Sequence, residues 1–163
     1  VKYIIEHSSK YHGHGIALTD GFRGTKDYSS QLWQGWNGDN AEFVVDLGKS
    51  ETIHRVTLGM LIDQKSWIFS PESVEVSFSN DGVNFSNAKM QNLDALTEQK
   101  TAEIKDLVFE IEMKQPLKRR LFHFYISYHC QGSVIFTFIS SWGLSKISIV
   151  NPSSATNILS PSK

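Results

Sequence analysis

Apolar residues recur at every second position through much of this chain, in short runs broken by Gly, Asn, Asp and Ser. That period commits each run to a strand with one buried face. Ala41, Phe43, Val45 and Leu47 alternate with Glu42, Val44 and Asp46, and the same pattern holds for Val56, Leu58 and Met60 and for Val74, Val76 and Phe78. Asn80-Asp81-Gly82 then supplies residues that tolerate the backbone angles of a tight turn, and Phe85 resumes the apolar pattern, so the spacing predicts a hairpin. Between Leu96 and Met113 two periods compete: Ile104, Leu107, Val108 and Ile111 fit a helical stripe, while Leu107, Phe109, Ile111 and Met113 fit a strand. The β-formers Val108 and Phe109 favour the strand, and Lys114-Gln115-Pro116 closes it. Ala95 to Lys100 leaves room for one short helical turn. Leu121 to Tyr128, Val134 to Ile139 and Lys146 to Val150 complete about eight strands, a spacing that predicts an all-β antiparallel sandwich.

At 163 residues the chain suits one domain that buries about two-thirds of its unfolded surface. We expect that domain to span residues 1–150, with a loose Ser-, Pro- and Asn-rich tail over 151–163. Cys130 is alone, so no internal disulfide can form, and no apolar run approaches the ~20 residues that cross a bilayer. The chain begins at Val1 with no pattern of a signal peptide, and reads as a soluble piece of something longer. A net charge of −1 argues against a nucleic-acid partner, which calls for a cationic excess. The charge is unevenly spread: all 17 acidic residues lie within 1–113, whereas 114–163 carry only cations. Lys118-Arg119-Arg120 is the densest basic cluster and reads as a solvated turn.

Four signals follow one another in the first half: Leu18-Thr19-Asp20-Gly21, Trp33-Gln34-Gly35-Trp36, Val44-Val45-Asp46-Leu47-Gly48 and Ser77-Phe78-Ser79-Asn80-Asp81-Gly82-Val83-Asn84-Phe85. Together they resemble the discoidin domain, the type C domain of coagulation factors. With Phe22-Arg23-Gly24-Thr25 and Ser66-Trp67-Ile68-Phe69-Ser70-Pro71, they look most like the domain appended to bacterial β-N-acetylhexosaminidases, the chitobiases. The resemblance implies a galactose-binding-like jelly-roll sandwich that binds rather than cuts. It is close from about Tyr11 to Phe85 and weak after Arg120, where the closing strands depart from the family pattern through divergence or a shifted reading frame.

The resemblance also implies site residues. Asp20 matches a side-chain ligand of a structural calcium, an ion that needs several oxygens at once. No cofactor is required; a structural calcium at Asp20 stays an open alternative, opposed by Ser145-Lys146 standing in place of the family's closing acidic pair, where a lysine would repel the ion. Trp33 matches a buried core tryptophan, expected to join Leu47, Val76 and Phe78 in the core. Arg120-Leu121-Phe122-His123 resembles a strand start whose arginine serves the fold. From the residues themselves, Trp36 stands in a Gly- and Asn-rich stretch and reads as an exposed ring for stacking on a sugar, with Gln34, Asn37 and Asp63 as polar neighbours. Trp67 and Phe69 point the same way if their segment is extended, which reads as packing against the end of the sandwich or as a second aromatic contact. His12-Gly13-His14 has no partner cluster at zinc spacing and reads as a surface loop.

No nucleophile elbow, phosphate loop or metalloprotease motif is present, and no carboxylate pair suggests a glycosidase cleft. We therefore expect a non-catalytic, monomeric, carbohydrate-binding module of a bacterial glycoside hydrolase, secreted, periplasmic or surface-attached. Its partners would be a glycan containing N-acetylglucosamine or galactose, and the catalytic domain of the same polypeptide. The alternatives are a structural module docked on that domain, or an adhesion module using Trp67-Ile68-Phe69 against protein or membrane.

Overall fold

A computed structural model describes residues 1–48, 53–93, 100–111, 121–127 and 133–139. Nine strands lie among them: β1 Lys2–Tyr3, β2 Gln34–Asn37, β3 Ala41–Asp46, β4 Arg55–Ile62, β5 Ser73–Ser79, β6 Ser86–Asn92, β7 Glu103–Glu110, β8 Leu121–Ser127 and β9 Ser133–Ile139. They form two sheets, ordered β1-β3-β8-β5-β6 and β2-β9-β4-β7. Every pairing is antiparallel. The expected antiparallel sandwich is therefore the fold, and its only helical elements among the described residues are short 3-10 turns.

The inward faces follow the two-residue period. Ala41, Phe43 and Val45 meet Val56, Leu58, Met60 and Ile62, with Val74, Val76 and Phe78 and Phe122, Phe124 and Ile126 closing one buried cluster. Leu47 is half-buried against its margin. Leu107, Phe109 and Ile111 are buried while Val108 and Glu110 are exposed, so strand character prevails there, beginning earlier than expected, at Glu103. The hairpin forms between β5 and β6, with a register shift between Val76 and Phe78 where Asn87 takes a left-handed φ of 54°. The expected terminal strands are central: β8 lies between β3 and β5, and β9 between β2 and β4. The helical turn at Ala95 to Lys100, Met113, the Lys118-Arg119-Arg120 cluster, Cys130, the strand at Lys146 to Val150 and the tail lie wholly or mostly outside the described residues.

Strand β4 departs from simple alternation, being buried from Val56 to Ile62. Its second face is covered too. Leu61 joins Tyr11, Trp33 and Ile68 in a separate cluster on the outer side of its sheet. The segment before β2 supplies that cover. Its Arg23 reaches Asp106 of β7 at 2.7 Å, and the Trp33 indole Nε1–H donates to the Thr25 carbonyl at 2.9 Å. The same indole ring packs on Gly24 so closely that a Cβ there would overlap it.

Candidate functional site

Strand register brings two of the loops named from the sequence to one end of the sandwich. Gly35 and Leu61 both align with Ile135, so β2 and β4 run in the same direction and finish together. The turn after Asn37 and the loop after Ile62 therefore share that end, and Asn37 is exposed there.

The second loop is tightly closed. Asp63 and Ile68 exchange backbone bonds of 2.9 and 3.0 Å, the Asp63 carbonyl also accepts from Ser66 N at 2.9 Å, and the Ser66 hydroxyl donates to Asp63 Oδ2 at 2.5 Å. Four residues remain to turn the chain, and the last must be left-handed, a place that suits glycine. Trp67 occupies it with φ 60° and ψ 36°. A non-glycine residue held there costs on the order of 1–2 kcal/mol, and such strain tends to collect at functional positions. While Ile68 is buried in the outer cluster, Trp67 is turned outward and remains 65% exposed. Its ring meets Phe69 edge-on, with centroids 6.1 Å apart at 88°. The segment is thus not extended, and Trp67 does not bury itself against the sandwich end as expected. It presents an indole that meets Phe69 edge-on, in the same loop as the bonded Asp63 carboxylate and Ser66 hydroxyl.

Trp36 and Gln34 require correction. Trp36 is 1% exposed, stacked on Phe43 at 5.5 Å and 14°, with its Nε1–H donating to the Ile5 carbonyl at 2.9 Å. It cannot serve as a sugar platform, because the ring that looked loop-borne is the bridge between the sheets: Phe43 in turn stacks on Phe124 at 4.9 Å. Gln34 is fully buried, its Oε1 accepting from Leu18 N and the Tyr3 hydroxyl while its Nε2 donates to the same hydroxyl. Burial raises the Tyr3 hydroxyl's pKa, an effect the bond with Gln34 opposes. Trp33 is buried, though in the outer cluster and not between the sheets.

Asp20 caps its own loop: its Oδ1 accepts from Phe22 N at 2.9 Å beside Gly21, whose φ is 80°. No group of three His, Cys, Asp or Glu side chains comes together among the described residues. Ser145 and Lys146, which stand in place of the family's acidic pair, lie outside the described residues. His12 and His14 stand in exposed 3-10 turns, where the His12 Nδ1 accepts from His14 N at 3.2 Å.

Two antiparallel sheets are common to many families, and comparison with family models separates them. The F5/8 type C domain model matches residues 4–136. The chain belongs to the F5/8 type C, or discoidin, family. Discoidin domains are commonly modules that bind carbohydrates or other ligands. Among curated proteins, none matches the chain. In this discoidin domain Trp67, Phe69, Asp63 and Asn37 reach one end, whereas Gln34 and Trp36 are internal and Asp20 belongs to the separate loop before β2. Sequence reasoning passed over a cavity of about 100 Å³ beside Tyr11 and Trp33 of the outer cluster, lined also by Lys10, Tyr28, Ser29 and Gln31. Its residues come from two turns distant in sequence, with no spacing to mark them.

Proposed function

We propose that this domain is a non-catalytic glycan-binding module whose platform is the Trp67 indole. Its parent would be a bacterial glycoside hydrolase of the β-N-acetylhexosaminidase (chitobiase) type, exported to the periplasm, the cell surface or the medium. The observation that carries the reading is Trp67 itself, 65% exposed on a left-handed backbone. A flat ring turned to solvent offers contact area for the apolar CH face of a sugar, and the carboxylate and hydroxyl of Asp63 and Ser66 in the same loop, with the Asn37 amide at the same end of the sandwich, would orient its hydroxyls. Phe69 limits rotation of the ring, so less freedom is lost on binding. One platform and a few polar contacts correspond to affinities of the order of micromolar to millimolar. The module would act by holding the parent's active site near its substrate, raising the effective concentration. It needs no cofactor, acts as a monomer and has no role in binding nucleic acid.

The test is an NMR titration of the whole chain with N-acetylglucosamine, chitobiose and galactose. Trp67→Gly removes the ring and relieves the backbone strain, so the variant stays folded. Saturable binding to one of these sugars, lost in Trp67→Gly, supports the reading. Absence of binding to all three by the folded protein, or binding unchanged in the variant, overturns it. In the first case the Trp67–Phe69 knob becomes a contact for docking on the parent's catalytic domain.

A further inference from the structure

Two tyrosines from separate turns form a corner beside the cavity on the outer face. Tyr11 and Tyr28 meet edge-to-face, with centroids 6.2 Å apart at 77°. The ammonium of Lys10 stands 4.9 Å from the first centroid and 5.9 Å from the second, both within reach of a cation–π attraction. The Tyr11 hydroxyl is buried and reaches no hydrogen-bond partner, an oxygen dipole that a neighbouring positive charge satisfies. The Tyr11 side chain also raises the Lys10 pKa above its ordinary value. Ser29 of the cavity lining is tied to a carboxylate: its hydroxyl and N–H donate to Asp27 Oδ1 at 2.6 and 2.8 Å. Those bonds keep the Asp27 carboxyl below its usual range, hence ionised at neutral pH. Gln31, on the cavity wall, is held at φ 64°, one of four non-glycine residues with left-handed φ among the described residues.

We propose that the Tyr11–Tyr28 corner is a binding site for an organic ammonium ion, and that Lys10 is its internal competitor. Lys10 shows that an ammonium fits the corner, and its exposed side chain can leave at little cost. An alkylated ammonium, less strongly hydrated than that of lysine, gives up less on entering an aromatic corner. The cavity beside it accommodates the substituents. This site is separate from the Trp67 platform, and its argument does not depend on a glycan.

The experiment titrates the whole chain with tetramethylammonium chloride against sodium chloride at constant ionic strength, following the tyrosine ring protons by NMR. Two further arms use glucosamine, charged at mildly acidic pH, and uncharged N-acetylglucosamine. We expect saturable shifts at Tyr11 and Tyr28 with tetramethylammonium, weaker ones with glucosamine, whose primary ammonium is hydrated like that of Lys10, and none with N-acetylglucosamine. Lys10→Met should bind about two- to fivefold more tightly, since the competitor is gone, and Tyr28→Ala about two- to fivefold more weakly. Trp67→Gly should leave these shifts unchanged. The proposal is overturned if sodium chloride reproduces the shifts, if N-acetylglucosamine matches glucosamine, if Lys10→Met binds no better than the parent, or if Tyr28→Ala binds as well. A dispersed spectrum of each variant shows that it is folded.

Discussion

Replacing Trp36 by alanine should nearly unfold this domain, and the estimate follows from what surrounds the ring. The indole is 1% exposed and lies between Phe43 and Phe136, with centroids at 5.5 and 6.5 Å. Truncating a buried tryptophan to alanine costs about 3–5 kcal/mol in lost transfer energy and cavity formation. The Ile5 carbonyl, which accepts from Nε1 at 2.9 Å, loses its partner, adding about 1 kcal/mol. A total of about 4–6 kcal/mol approaches the whole stability of a typical domain, about 5–15 kcal/mol. Trp36→Phe keeps a ring against Phe43 and gives up mainly the hydrogen bond and part of the volume, so its loss should be about 1–3 kcal/mol. Urea unfolding followed by far-ultraviolet circular dichroism measures both, since the signal does not depend on the deleted fluorophore. A Trp36→Ala midpoint equal to that of the parent would refute the inter-sheet bridge and return Trp36 to the surface, where the sequence alone had put it.

Gly24→Ala should lower stability by about 1–3 kcal/mol through overlap with the Trp33 ring, read from the same urea midpoint; an unchanged midpoint would contradict the packing of that segment on the outer cluster. Asp81 accepts from Asn84 N, Asn84 Nδ2, Val83 N and the Ser79 hydroxyl, which hold its carboxyl well below the usual range. A lowered folded-state pKa stabilises above the unfolded value, near 3.9, and the effect is lost as pH falls from there through the folded value. Parent and Asp81→Asn should therefore differ in urea midpoint at pH 7 and converge in strong acid; a gap that stays constant down to about pH 2 would deny the carboxylate its role. Adding calcium to metal-free protein should leave the melting temperature unchanged, because Asp20 brings one carboxylate to a loop already closed by its bond from Phe22 N. A calcium-dependent rise that disappears in Asp20→Asn would instead assign a calcium site to that loop.

The fold class was legible because alternation is a local property: Phe43 and Val45, or Leu107, Phe109 and Ile111, declare one buried face without reference to any other strand. The same is true of the hairpin at Asn80-Asp81-Gly82, whose turn chemistry lies within a few residues. The discoidin motifs likewise sit in one contiguous half. Trp36 was not legible, since the ladder that makes β2 a strand is its pairing with β9, about a hundred residues away, and Gly35, Asn37 and Gly38 make an isolated reading favour a loop. Trp67 failed in the opposite sense. Composition cannot reveal that the Asp63–Ile68 bridge leaves four residues to reverse the chain, a closure that forces Trp67 left-handed and turns its ring outward. Sequence by itself determined which faces are apolar and where the chain turns, because those depend on neighbours along the backbone. Tertiary structure alone decided which aromatic rings are buried and which meet solvent, because that depends on what long-range pairing places over them.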